Sequence, residues 1–483
     1  MNNAFLAFLW SPFFLLFLIN GFFLLSPLEA LHIKPTNPVK ELARYVLYKR
    51  LRRRFQELVL DEGIVSRRGW IRAFERWQLN SKLEDEAAPH DDDDDNNNDR
   101  MTTLYDPLFP CTISLMKEEE EEGSSFPPLP FAAETLEKDL LRMNLTAEGA
   151  TRVRRQISRD SMRAISQISQ ADKFIAPLNL TSSSNEEEDP LSIYSSADMP
   201  LSFTTPTGLL LERRQYTIDF RLISGPERLV FRLNHNYYDL LVHMWTRNRP
   251  HLSSSSSSSS FSSFYDDVFS MLVRYESLDG FGWQAAISPI VIAAFVRHFD
   301  ITCECFASPL NCQLPTYCSI FPDTDAAFGS IGNFFKFFPK EGSFEANPPF
   351  VAALMVKMLA HITSLLELSS GPMSFIIIVP AWTEDPHFAA LSGSPFRKGL
   401  LIIPAAEHCY CDGSRYNRKD DFRPAPFDTA IFLLQNKEGH KLWPLTVDVE
   451  ADIRAALKQD QPSANWKAQV ESEGLYIPKS KRL

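Results

Sequence analysis

The residues with the clearest chemical potential are Asn347, Pro348, Pro349 and Phe350. They stand between a short apolar-alternating run, GSFEA, and the helical pattern VAALMVKMLAHITSLLEL. An exocyclic aromatic amine is a weak nucleophile because its lone pair is delocalised into the ring. A site that methylates such an amine must hold both N–H groups, so that the lone pair turns toward the incoming carbon. The Asn347 side-chain oxygen and the Pro348 carbonyl are two suitable acceptors. The prolines fix φ and pre-organise that carbonyl at the end of a strand. Phe350 offers a face for a base to stack on, worth about 1–3 kcal/mol. The gain would come mainly from positioning two bound reactants. The bare tetrapeptide also reads as a rigid turn, and at this point both readings stand.

A second reactant needs its own site, and the chain has no glycine-rich GxGxxG loop. The candidate is another strand end, Ala307-Ser308-Pro309-Leu310-Asn311, whose alternative reading is an ordinary turn. The seven cysteines include no CxxC pair, so neither a zinc ribbon nor a redox motif is signalled. Cys303/Cys305 and Cys409/Cys411 are i, i+2 pairs whose members share a strand face. They read as buried free thiols in a reducing compartment, with zinc binding as the alternative.

The elements that must position these residues follow from pattern. Residues 289–298 and 351–368 have helical spacing. Residues 301–307, 343–346, 374–382, 399–405 and 429–436 read as apolar strands. Fully apolar strands between helices indicate a sheet covered on both faces, a doubly wound α/β domain. The last two strands have no helix between them, which predicts an antiparallel pair at one sheet edge. In such sheets ligands bind beyond the carboxyl ends of the strands, where ASPLN and NPPF both fall.

The first half of the chain differs. Residues 4–28 are uncharged and almost wholly apolar, long enough for a membrane span or signal peptide but interrupted by Pro12, Asn20, Gly21 and Pro27. An anchor and a mere extension are both open readings. A helix is expected over 38–60, with Leu42, Val46, Leu47, Leu51, Phe55 and Leu58 on its buried face. Its other face carries Arg44, Lys49, Arg50, Arg52, Arg53 and Arg54. That face is either a solvated surface or a phosphate contact. A helical block over 133–168 and a hairpin formed by 216–223 and 227–233 follow. The net charge of −12 is concentrated in the runs at 91–95, 118–122 and 186–189. Setting those fourteen acids aside turns −12 into +2, so the total says little about the folded surface. The resulting division is 1–30 apolar segment, 31–80 basic helical segment, 81–130 acidic and Pro-rich linker, 131–252 accessory domain, 253–263 Ser-rich insertion, 264–445 α/β domain and 446–483 tail.

At ECFASPLNC, YCSIFPDTDAAFGSIG, GSFEANPPF, PMSFIIIVPAW, FRKGLLIIPAAEHCY and TAIFLLQN the sequence resembles the cap-specific adenosine-N6 methyltransferases, the phosphorylated CTD-interacting factor family. The segments occur in the family's order and at similar spacing. The resemblance implies a class I, Rossmann-like methyltransferase domain preceded by a mainly helical domain. It implies S-adenosyl-L-methionine as cofactor and N6 of the cap-adjacent 2′-O-methyladenosine of mRNA as target. Asn347, Pro348, Pro349 and Phe350 match the family's catalytic motif without change. By fold position, Ala307 to Asn311 would lie at the donor pocket, with Asp323 and Asp325 as acidic candidates beside it. No metal is required, since a sulfonium donor is already activated.

Cap recognition needs an aromatic face and a carboxylate for a cationic base. Trp382, Glu407, His408 and Tyr410 are of those types, each with a packing role as its alternative. Arg50 and Arg53 become candidates for transcript phosphates. The resemblance also implies a nuclear enzyme, whose partners would be capped mRNA and the RNA polymerase II C-terminal domain. No compact run of about forty residues with two spaced tryptophans is seen, so the family's WW domain is expected to be missing. Other readings are an N6-adenine methyltransferase on another RNA or DNA, a catalytically silent RNA-binding module, and a membrane or secretory protein led by residues 4–28.

Overall fold

The computed structural model describes residues 36–63, 69–85, 106–110, 131–171, 193–248, 263–278, 285–413, 415–417 and 422–459. The apolar segment 4–28 lies outside them, as do the acidic runs and the serine tract. No described helix is long and apolar enough to cross a membrane. The chain divides into two compact units. One comprises Pro35–His243 and His251–Phe281; the other is built on Met244–Pro250 and Gly282–Leu483.

In the first unit, α1 (Pro38–Asp61) starts where Asn37 Oδ1 accepts from the amides of Val39 and Lys40, with Pro38 at the first helical position. It is followed by α2 (Gly69–Asp85), α3 (Phe131–Arg142) and α4 (Ala147–Gln170). The expected single block over 133–168 is two helices. Asn144 takes a left-handed φ of 71°, and Thr146 caps the new helix. An antiparallel meander follows in the order β1 (Ser202–Thr204), β2 (Leu209–Arg213), β3 (Thr217–Leu222), β4 (Phe231–Asn234). The expected hairpin is its β3–β4 half. α5 (His235–Asn248), which from Met244 onward belongs to the other unit, and α6 (Phe264–Ser277) come next. A boundary at 264 fails because α6 packs on α1 in this unit, through Arg274 on Glu41. The basic face of α1 is also narrower than expected. Arg44 and Arg52 are buried in ion pairs with Asp106 and Glu75, whereas Arg50 and Arg53 are exposed.

The second unit is a six-stranded sheet between two helical layers. α7 (Pro289–Phe299) opens on the Ser288 cap and closes on left-handed Asp300, which turns the chain straight into β5 (Ile301–Ala307). Then come β6 (Tyr317–Ser319), α8 (Pro322–Asp325), β7 (Gly342–Ala346), α9 (Ala352–Leu368), β8 (Met373–Pro380), α10 (Pro386–Ser392) and β9 (Arg397–Ile403). The unit ends with β10 (Cys409–Cys411), β11 (Phe422–Pro424), β12 (Thr429–Gln435), α11 (Lys437–Leu442) and α12 (Val447–Gln459). The sheet order is β6-β5-β7-β8-β12-β9. β6, β5, β7 and β8 are parallel, and β12 runs antiparallel to both β8 and β9. This is the expected antiparallel pair, with β12 inserted inside the edge strand. On one face Phe344, Phe375, Ile377 and Phe432 pack under α9; on the other Ile376, Ile378, Ile431 and Leu433 pack under α7 and α12. Residues 446–483 are not wholly a tail, because Ile453, Ala456 and Leu457 of α12 are buried in that second layer.

From β5 the chain steps outward to β6, then returns past β5 to β7 and continues to β8. The direction of winding therefore reverses between β5 and β7. That switch point, at their carboxyl ends, is where open α/β sheets bind ligands.

Candidate active site

Asn347-Pro348-Pro349-Phe350 sits at the carboxyl end of β7, on this reversal. The two prolines leave no N–H to continue the ladder, and the Val351 amide closes on the Pro349 carbonyl at 2.7 Å before α9 begins. Asn347 Nδ2 donates to the Ala285 carbonyl at 3.1 Å, which fixes the side chain. Its Oδ1 is buried and has no hydrogen-bond partner. Such an acceptor costs free energy unless a donor reaches it, so the site fits a ligand that brings an N–H.

Phe350 is half-buried and meets Tyr410 edge-on at 6.0 Å and Phe427 at 5.6 Å. Phe427 in turn meets Trp382 at 5.4 Å. The structure thus gathers Trp382 and Tyr410 beside Phe350 through a residue that pattern reading missed. Trp382 is half-buried, consistent with a wall facing a ligand. His408 and Tyr410 stand differently. His408 is 1% exposed, its Nδ1 on the Pro404 carbonyl and its Nε2 on Thr429 Oγ1 at 2.8 Å. The Tyr410 hydroxyl meets the same Thr429 oxygen at 2.6 Å. Burial holds the His408 imidazolium below the ordinary histidine range. Both side chains spend their polar atoms inside the protein, so they support the wall from behind. Glu407 turns toward Lys458 of α12 at 3.7 Å. Arg50 and Arg53 are exposed on α1, in the other unit.

Thr429 holds both ring partners, which makes it a testable keystone. Thr429→Val should lower stability by about 2–4 kcal/mol, because two buried polar groups lose their partner at once. Urea unfolding measures this, and a loss under about 0.5 kcal/mol would mean the pair finds other partners.

The turn after β5 is closed on itself. Asn311 Oδ1 accepts from Ser308 N at 2.7 Å and Ser308 Oγ at 2.9 Å, and Ser308, Pro309, Leu310 and Asn311 are buried. Ala307 is half-buried at the strand end. Asp323 is exposed, while Asp325 is buried and accepts from Thr324 Oγ1 at 2.9 Å.

Two acidic residues escaped the pattern reading. Glu304 on β5 and Glu345 on β7 are register partners on adjacent strands, 4% and 2% exposed. Glu304 Oε1 accepts from the amides of Gln313 and Leu314, each at 2.6 Å. Burial pushes its carboxyl up to about 7 against those amides and Arg415; burial and Glu304 push Glu345 well above the carboxylate range. One charge inside each otherwise apolar strand, ITCECFA and GSFEA, was the available signal. The six described cysteines are buried.

Residues 240–413 match the family model of the phosphorylated CTD interacting factor 1 WW domain. The chain is similar to mRNA (2′-O-methyladenosine-N(6)-)-methyltransferases. It is 41% identical over 211 residues to the one from Homo sapiens and 40% identical over 211 residues to that of Mus musculus. The similarity covers 42% of this chain and spans 30% of the length of those relatives. The family match overturns the expectation that the WW domain is missing. That expectation sought one compact run with two spaced tryptophans, whereas the match extends from α5 through β10.

Proposed function

We propose that this chain methylates N6 of the 2′-O-methyladenosine next to the mRNA cap, on a class I, Rossmann-like methyltransferase domain. The observation that carries the reading is the orphaned Asn347 Oδ1 at the winding reversal. Asn347 Oδ1 and the Pro348 carbonyl would accept the two amine hydrogens. That draws the nitrogen lone pair out of conjugation and aims it across the switch point. Pro349 keeps the carbonyl rigid, and Phe350 stacks on the base. S-adenosyl-L-methionine supplies an electrophilic methyl group when bound. Ala307 to Asn311 follow β5, and Asp323 and Asp325 follow β6, on the side of the switch point where that donor would lie. Trp382, backed by Phe427, is the aromatic face for the cap. Arg50 and Arg53 would meet transcript phosphates. Capped mRNA and the polymerase C-terminal domain are the matching partners, and the nucleus the matching compartment.

The test is transfer of labelled methyl to RNAs that differ only in cap and first nucleotide. Transfer confined to capped, adenosine-initiated RNA is expected. Transfer that ignores the cap would mean a different adenine substrate. Binding of RNA and donor without transfer would mean a silent binding module.

A further inference from the structure

α1 and α4 pack side by side in the helical unit, and two ion pairs across their seam fix how. Arg152 of α4 donates to Glu62, the C-cap of α1, through Nε at 2.8 Å and Nη2 at 3.2 Å. About two turns on, Arg54 Nε of α1 stands 3.8 Å from Asp160 Oδ2 of α4. Numbers rise on one helix as they fall on the other, so the helices are antiparallel and share one solvent-facing flank. Along it Arg155, Arg159 and Arg163 recur at every fourth residue of α4, a step of about 6 Å, and all three are exposed. Arg50, Arg53 and Arg54 are exposed within about one turn of α1. An open groove on this flank is lined by Thr151, Arg152, Arg155, Gln156 and Arg159.

Most arginines of this unit meet a carboxylate each, as Arg44 meets Asp106, Arg76 meets Asp139 and Arg154 meets Glu137. This flank is different. Asp160 serves Arg54 and Arg163 at once, and Gln156 Nε2 donates to both its oxygens at 3.1 and 3.2 Å. One carboxylate balances one guanidinium, so the second keeps its charge. Arg50, Arg53 and Arg155 meet no carboxylate among the described residues. Toward Arg152 the charges balance, with Asp61, Glu62 and Glu148 at that end. Over the rest of the flank the acids of the two helices are Glu57 and Asp160, against six exposed arginines. Cations repeating about 6 Å apart along an open surface suit an extended chain of repeating anions better than one compact anion. Neither helix exposes an aromatic ring for a base to stack on, so the contact is to backbone and carries no sequence preference.

We propose that the α1–α4 flank is a phosphodiester track for single-stranded RNA, with Arg155, Arg159 and Arg163 as one row and Arg50, Arg53 and Arg54 as the other. The choice of RNA rests on the methyltransferase reading above, which places only Arg50 and Arg53 on phosphate. The α4 row and the pairing of the two rows through Asp160 are new.

Fluorescence anisotropy of an uncapped RNA of about twelve nucleotides, titrated with the full chain across a salt series, tests the track without any methyl transfer. In the triple variant Arg155→Gln, Arg159→Gln, Arg163→Gln the slope of log K against log salt should be shallower by about 2, since each phosphate contact contributes about 0.7. Kd at about 0.1 M salt should rise about tenfold or more. Arg228→Gln, Arg232→Gln, Arg247→Gln removes the same charge from exposed positions elsewhere and should leave the slope as it was. An unchanged slope in the first variant, or an equal loss in the second, overturns the inference. So does displacement of the RNA by an oligoglutamate at equal charge concentration, which would assign the flank to an acidic protein segment. Tighter binding of duplex DNA of the same length overturns the single-strand assignment. Should the triple variant not fold, Arg50→Gln with Arg53→Gln reads the other row, with an expected slope loss of about 1.4. Methyl transfer to capped RNA beside an unchanged slope would overturn this inference alone. The expected slope loss in a protein that transfers no methyl group would overturn the methyltransferase reading alone.

Discussion

Asn347→Ala should reduce methyl transfer by about 10²–10³-fold in kcat, the cost of deleting one pre-organised hydrogen-bond partner at a reacting centre. On the proposed reading the amide would work because its other end is pinned. Nδ2 on the Ala285 carbonyl sets the rotamer, and Oδ1 waits unpaired in a place water does not reach. No rearrangement is then needed when an amine arrives. Alanine removes the acceptor while leaving the strand end to the prolines, so folding should be little affected. Removing an orphaned acceptor even relieves a small penalty, which offsets the hydrogen bond lost at Ala285. KM for RNA should rise less than kcat falls, since Phe350 and its neighbours still stack on the base. The measurement is single-turnover transfer beside a thermal melt. Unchanged transfer in a normally folded variant would remove Asn347 from the site.

Much of the placement of this candidate site was legible because its residues coincide with punctuation. Two prolines after an apolar strand mark a strand end in any sequence, and the helical pattern beyond them sets the hinge within a residue or two. The strands were legible for a related reason. β8 and β12 are covered on both faces and almost wholly apolar, and β5 and β7 each carry a single charge. What pattern could not supply is adjacency. Phe427 lies in a loop ahead of β12, and nothing in its neighbours points to Phe350, 77 positions earlier. His408 and Tyr410 have the residue types of a ligand-binding wall, but their polar atoms are satisfied by Thr429, a β-branched strand residue without local signal. Glu304 and Glu345 became a pair only through the register of β5 on β7. Arg44 and Arg52 followed the charged face of α1 on paper, yet buried acids draw them inward. Period alone cannot show that, because the partner is long-range.

The largest stability effect should come from the buried charges of the helical unit. Arg274 on α6 has a side chain with no exposure; its Nε and Nη2 donate to Glu41 at 3.0 and 2.6 Å. Glu41 also contacts Arg44, whose Nε donates to Asp106 Oδ2 at 2.8 Å. Asp106 Oδ1 accepts from the amides of Leu108 and Phe109, which ties the segment 106–110 onto α1. Two acids and two arginines balance. Arg274→Ala breaks that balance and strands a carboxylate in a dry interior, which costs about 3–5 kcal/mol. The pairing also sets a pH window. Burial alone would raise the Asp106 carboxyl, but Arg44 and Arg274 overcome it and hold it below the usual carboxylate range. A group depressed in the folded state stabilises above its unfolded value, about 3.9, and that stability is lost as pH falls through the folded value. Loss of Arg274 weakens the depression, so acid unfolding of the variant should begin at higher pH. Urea unfolding followed by the buried Trp70 and Trp77 measures both effects. The double variant Glu41→Gln with Arg274→Met should recover part of the loss, because no uncompensated charge remains. A cost near that of an exposed pair, under about 1 kcal/mol, would mean that water enters the network.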